Sequence, residues 1–193
     1  GAYALSTQEP VPGMLPCRDI HIQLVDTPPT SNPGTQSRLY GLLRNSDVFV
    51  VVVDLSLNAV EQVQEVLSEL GQWGFQMMGS KKECDGEDAW LSKPTVLVGN
   101  KADVPGALDR FQELESAFGA KYPVVMASAE EAVGLDDLAE EVFKALKVMR
   151  VYTKSPREKI EEFERKDPLV LPLGSTVSRA AEQLHRDLGR GLR

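Results

Sequence analysis

Three apolar runs in this chain end in short polar signatures. Leu24-Val25 runs into Asp26-Thr27-Pro28, Val98-Gly99 into Asn100-Lys101-Ala102-Asp103, and Ala127 into Ser128-Ala129-Glu130. The middle signature carries the most chemistry. A carboxylate at Asp103 can accept two hydrogen bonds from adjacent donors, and the Watson–Crick edge of guanine presents N1–H and an exocyclic NH2 side by side. Each charge-assisted bond contributes about 1.5–3 kcal/mol. Adenine leaves the same carboxylate poorly paired, and a site of this kind rejects the wrong partner by about 10⁴-fold. Asn100 can tie neighbouring loops together, the Lys101 stem can lie flat along a base, and the backbone N–H of Ala129 can meet the guanine O6. Taken alone, Asn-Lys-Ala-Asp also fits a strand-to-helix turn with solvated charges. Its place behind a buried strand, between the other two signatures, favours the chemical reading.

Such residues must be positioned by strands. Ile20, Ile22 and Leu24 alternate with His21 and Gln23, which predicts a strand with one drier face, and Cys17-Arg18-Asp19 can turn a hairpin back onto Met14 and Leu15. Val48 to Leu55 has no polar alternation and is rich in β-branched residues, so it reads as a central strand covered on both faces. Thr95 to Val98 and Val124 to Ala127 share that character. Helical stripes fall between: Val63, Val66, Leu67 and Leu70 behind an Asn58/Glu61 capping box and ended by Gly71; Leu108, Phe111, Leu114 and Phe118; and Leu135, Leu138, Val142 and Leu146. Strands alternating with amphipathic helices predict βα units and a mostly parallel sheet, whose ligands bind beyond the carboxyl ends of the strands. Residues 79–93 read as a polar, exposed insertion. Met77-Met78 beside Phe75 and Trp73 reads as local core. After Lys147 the pattern changes to two short strands, Met149 to Thr153 and Leu169 to Leu173, and a stripe of Val177, Ala181, Leu184 and Leu188 closed by Gly189. That is the opening of a small β-β-α unit.

Composition bounds the function classes. The 193 residues are 42% hydrophobic and carry a net charge of −8. No apolar run is long enough to span a bilayer, so no membrane partner is expected. Cys17 and Cys84 are far apart without a CxxC, which suggests neither zinc nor a disulfide framework, and a reduced cytoplasmic setting is the default. The net charge hides a split. Residues 148–193 hold 10 of the 21 Lys and Arg but 7 of the 29 Asp and Glu, a local net of +3, leaving −11 for residues 1–147. Arg150, Lys154 and Arg157 are therefore candidate phosphate or RNA contacts, weighed evenly against a solvated face. His185, His21 and the two cysteines read as structural or solvated.

The order Asp-Thr-Pro, Asn-Lys-Ala-Asp, Ser-Ala-Glu resembles a GTPase of the translation-factor class. Tyr3 to Gly13 is similar to the YPFTTxxPxxG stretch of the Obg/DRG GTPases. Arg150-Val151-Tyr152-Thr153-Lys154, Leu169 to Gly174, and Thr176 to Leu188 with His185 resemble the TGS domain of the DRG branch. The resemblance covers essentially the whole chain. It implies an α/β fold of the P-loop GTPase type, a mostly parallel sheet flanked by helices over residues 1–147, followed by a partial β-grasp, TGS-like module over 148–193. It implies GTP/GDP as ligand, with Asn100, Lys101, Asp103, Ser128, Ala129 and Glu130 at the base. It implies Mg²⁺, with Thr7 matching the switch threonine and Asp26 the aspartate that holds the ion through water. It also implies a ribosome- or RNA-related partner for the tail.

Two departures matter. The chain has no GxxxxGK[ST], the loop whose backbone N–H groups cradle phosphates. The resemblance places the first strand, that loop and the first helix ahead of Gly1, so a fragment that binds nucleotide poorly by itself is expected, with hydrolysis belonging to the parent protein. It places the missing strand between Ile20–Asp26 and Val48–Leu55; a rearranged sheet in which those two meet directly is the alternative. Second, Asp26-Thr27-Pro28-Pro29 stands where the family has DxxG. Pro29 has no N–H to offer a γ-phosphate, although Gly34 can take over that role, and Thr30 is not a water-orienting glutamine. Slow hydrolysis follows, or else a non-catalytic scaffold or RNA-binding regulator with a degenerate GTPase domain.

Overall fold

A computed structural model describes residues 10–27, 36–79, 91–154 and 168–191. The chain opens with a hairpin of β1 (Val11–Cys17) and β2 (Ile20–Asp26), paired antiparallel with Cys17 opposite Ile20. Arg18 sits at φ 58°, the left-handed region that a two-residue hairpin turn demands. Helix α1 (Gln36–Asn45) leads into β3 (Phe49–Asp54), α2 (Ala59–Gln72), β4 (Gln76–Met78), β5 (Ser92–Asn100), α3 (Ala107–Phe118), β6 (Val124–Met126) and α4 (Leu135–Ala145). β5 pairs parallel with β3, β4 and β6. This is the expected α/β architecture of a parallel sheet flanked by helices.

β5 organises the core because both of its faces are buried. Val96 and Val98 face one cluster with Leu15, Cys17 and Ile22 of the hairpin and Leu138, Ala139 and Val142 of α4. Leu97 points the other way, into a cluster with Val51, Val53, Leu55, Val63 and Leu114. A third cluster, Phe49, Leu70 and Phe75, closes the start of the sheet, with the Phe49 and Phe75 rings 5.5 Å apart edge to face.

Several expectations change. β3 is not covered on both faces: Val51 and Val53 are buried on one, while Val52 on the other is 57% exposed, and β3 pairs only with β5 among the described residues. β2 and β3 do not meet as a rearranged sheet either. The hairpin is a separate two-stranded sheet, joined to the rest through side chains. Helix α2 runs past Gly71, and Gly74, at φ 86°, makes the left-handed turn instead. The Asn58 cap holds, its side chain accepting the Glu61 N–H. Lys93 does not belong to a polar insertion. It is buried in β5 and its ammonium donates to the Arg44 and Ser46 carbonyls at 2.7 Å each, satisfying the C-terminal end of α1. Residues 80–90, with Cys84 and Trp90, lie outside the described residues.

The tail forms the β-β-α arrangement. β7 (Val148–Val151) pairs antiparallel with β8 (Leu169–Pro172), and α5 (Val177–Gly191) follows, with Thr176 accepting the Arg179 N–H as its cap. β7 is clasped to the hairpin turn. Arg150 Nε lies 2.9 Å from Asp19 Oδ1, an ion pair rather than an aligned hydrogen bond, and its Nη2 donates to the Cys17 carbonyl at 2.9 Å. The guanidinium stacks 3.8 Å above the Phe143 ring, and Tyr152 donates its hydroxyl to Asp19 Oδ2.

Two predictions follow from this packing. A Cβ on Gly99 would lie 2.9–3.1 Å from the side-chain carbons of Leu55, which is fully buried and has nowhere to move. Gly99→Ala should lower stability by about 1–3 kcal/mol in urea unfolding; an unchanged midpoint contradicts the packing. The Tyr152 hydroxyl, ahead of the Arg150 charge, holds the Asp19 carboxyl below its ordinary value of 3.8 against a raising influence of burial. The clasp is therefore complete above that value and weakens as pH falls through the lower folded value. The stability gap between wild type and Asp19→Asn should be constant from pH 7 to about 5 and close below about 4. A gap independent of pH contradicts the clasp.

Candidate functional site

The parallel register sets Asp54 of β3 opposite Asn100 of β5, and Gly99 opposite Met126 of β6. Three strands thus end at one level, and the polar residues that follow them are collected there. Backbone bonds fix the loops. Leu55 N–H donates to the Asn100 carbonyl and Ala102 N–H to the Ala127 carbonyl, both at 2.9 Å. Ser128 and Val133 exchange both N–H···O bonds and close the 128–133 loop. Gly134, at φ 74°, ends it where a Cβ would lie 2.2 Å from the Met126 carbonyl oxygen, so only glycine fits. Lys101 also lies in the left-handed region, at φ 68°. A non-glycine residue there costs about 1–3 kcal/mol, and such strain concentrates at functional sites.

The loops are cross-linked by the residues the sequence singles out. Asn100 Oδ1 accepts the Ala129 N–H at 3.0 Å, so Asn100 does tie the two loops together. Ser128, 1% exposed, donates its hydroxyl to Asp103 Oδ1 at 2.5 Å and accepts the Glu131 N–H at 3.1 Å. The Ser128 hydroxyl first, then the backbone N–H of Asp103 itself and the Lys101 charge, hold the Asp103 carboxyl below its ordinary value against burial. Asp103 is exposed and ionised at neutral pH. With the Ser128 hydroxyl and its own N–H accepted, the carboxylate keeps two of its four lone-pair positions for further donors. The Ala129 N–H is committed to Asn100, so a bond to guanine O6 must share or displace it. Glu130 is exposed in the turn that follows.

Other expected residues lie apart from this cluster. Asp26 is exposed at the end of β2, opposite Val11 in the hairpin sheet. Thr7, Pro29, Thr30, Gly34 and Arg157 lie outside the described residues. No group of three or more His, Cys, Asp or Glu able to hold a metal occurs among the described residues. Arg150, a candidate RNA contact, is turned inward: its side chain is 10% exposed and its charge faces Asp19. Lys154 is exposed beyond β7, and His185 and His21 are exposed. No helix among the described residues is long and apolar enough to cross a membrane.

Two residues at the site were not singled out from sequence. Lys101 Nζ lies 2.5 Å from Asp54 Oδ2. Gln62 brackets the Asp54 backbone, accepting its N–H at 2.9 Å and donating to its carbonyl at 3.0 Å. A carboxylate closing an otherwise apolar strand is the signal that points to Asp54.

No family model matches the chain. Among curated proteins it is similar to a GTP-binding protein of Methanocaldococcus jannaschii, 24% identical over all of this chain and 63% of that protein. A GTP-binding protein of Halobacterium salinarum is 23% identical over 95% of the chain and 65% of its own length. The GTPase Obg of Mycoplasmopsis agalactiae is 28% identical over 83% of the chain and 36% of its own length. The chain thus spans under two thirds of these relatives, and each of them is by name a GTP-binding protein or GTPase.

Proposed function

We propose that this chain carries the guanine-reading part of a GTP-binding protein of the Obg/DRG kind. The observation that carries the reading is the pair of cross-links between the β5 and β6 loops, Ser128 to Asp103 and Ala129 to Asn100. They hold an ionised carboxylate at the sheet's carboxyl end with two acceptor positions open. Guanine N1–H and N2–H satisfy both. Adenine N1 is an acceptor and would meet the carboxylate with lone pair against lone pair. The names of the relatives support the same ligand.

The finer assignments extend this reading. Thr7 and Asp26 serve Mg²⁺ and the γ-phosphate, and hydrolysis is slow because Pro29 supplies no N–H there. The β7–β8–α5 unit is TGS-like, and Lys154 with Arg157 offers an RNA or ribosome contact. Arg150 belongs to the fold, since it is spent on Asp19. A non-catalytic scaffold is the second reading, favoured by Pro29 and tested by whether this chain, with a relative's phosphate-binding segment fused ahead of Gly1, hydrolyses GTP with Mg²⁺.

Amide-resolved NMR titration of this chain with GMP and AMP tests the base site directly. GMP should bind weakly, on the order of 1 mM, and shift the amides of residues 100–103 and 128–130; AMP should not. Equal responses to both overturn the reading. Asp103→Asn presents a carbonyl and an NH2 in place of two acceptors, which matches xanthine, whose C2 bears a carbonyl. This variant should lose about tenfold or more in GMP affinity and prefer xanthosine monophosphate. Retained GMP preference removes Asp103 from the site.

A further inference from the structure

We infer that Asp54 is a positioning residue for base recognition. It holds the Lys101 ammonium so that the methylene stem is fixed as a floor for the guanine ring. This rests on the guanine-reading function proposed above.

A lysine side chain has several rotatable bonds, and a ligand that must immobilise it loses affinity to that ordering. Here the ordering is done beforehand. Lys101 begins from a left-handed backbone, φ 68°, and ends at Asp54 Oδ2, 2.5 Å away. Asp54 is itself tied down by hydrogen bonds. Its Oδ1 accepts the Ser56 N–H at 2.7 Å, and its backbone is bracketed by the Gln62 amide. The same amide donates to the Asn58 carbonyl at 3.1 Å, and Asn58 caps α2. The chain of support runs from a helix start, through β3, to the lysine head. The ladder pairs Asp54 with Asn100, the residue just before Lys101, so carboxylate and lysine are registered to each other by the sheet.

The carboxylate is charged at neutral pH. Burial, the largest single influence, pushes its pKa up. The bonds from Lys101 and Ser56 with the Lys101 charge outweigh it and hold the group below its ordinary value. Lys101 and Asp54 are 38% and 27% exposed in their side chains, so solvent screens the pair. Its loss should therefore be modest, two- to fivefold in affinity by the usual worth of such pairs, about the scale of an exposed salt bridge.

A purely structural role for Asp54, as acceptor of the Ser56 N–H, makes a different forecast. Asp54→Asn keeps that acceptor and removes the charge. The test is GMP titration of the full 193-residue chain, with Lys101 ammonium order followed by ¹⁵N NMR in the absence of nucleotide. Asp54→Asn should loosen the ammonium and weaken GMP by about two- to fivefold. Asp54→Glu, which keeps the charge, should restore part of both. In a Lys101→Met background, which keeps the stem but lacks the ammonium, Asp54→Asn should cause no further loss. Unchanged GMP affinity in Asp54→Asn, or an equal loss in the Lys101→Met background, overturns the inference alone. A wild-type chain with no preference for GMP over AMP overturns the guanine reading and the inference with it. If Asp54→Asn does not fold, the wild-type measurement decides: an ordered ammonium at neutral pH supports the pairing, and a freely rotating one refutes it.

Discussion

The parallel register of β5 with its neighbours is the constraint on which the rest depends. β5 must be apolar on both faces, because Val96 and Val98 pack under the hairpin and α4 while Leu97 packs against α2 and α3 residues. Within such a strand a polar side chain must find a partner, as Lys93 and Thr95 do on backbone carbonyls, and groups left open for a ligand lie where it ends. Its ladder places Asp54 beside Asn100 and Met126 beside Gly99, so the polar ends of β3, β5 and β6 arrive together. Gly99 is the point of closest approach, where the Leu55 side chain occupies the space of a Cβ. Burial of the strand and assembly of the site are thus one requirement.

The loops beyond those strands are short and heavily cross-linked. The price of that rigidity is backbone in an unfavourable region at Lys101 and Ala132. In return the Asp103 carboxylate, the Ser128 hydroxyl and the Lys101 stem are held before any ligand arrives, which lowers the ordering cost of binding. The hairpin is organised differently. One end carries Asp26, and its turn at the other end is gripped by Arg150 of β7 and by Tyr152 just beyond it. Asp26 at one end and the contacts to the tail at the other therefore share one two-stranded element.

Much of this was legible in the sequence, for identifiable reasons. The period-2 alternation of Ile20, Ile22 and Leu24 marked β2, and the unbroken Val48–Leu55 run marked a strand of the parallel sheet. Asn100 linking loops was readable because a side-chain amide between two strand ends has few other uses. Helix α1 was missed because Gly41 interrupts a short apolar stripe in which only Leu39 is buried. Lys93 was misread because a buried lysine is rare, and nothing local reveals that distant carbonyls of Arg44 and Ser46 receive it. Val52 was expected inside because its residue type fits burial, yet coverage of a strand face depends on what packs there. Arg150 looked like a surface cation because its partner, Asp19, is distant in sequence.

The proposed guanine site rests on a preformed, ionised Asp103 at the ends of β5 and β6. A crystal structure of the chain with GMP bound tests this most directly. It should place guanine N1 and N2 about 2.7–2.9 Å from the two Asp103 carboxylate oxygens, with the Lys101 stem against the ring. A base bound elsewhere, or one that meets Asp103 with neither nitrogen, contradicts it.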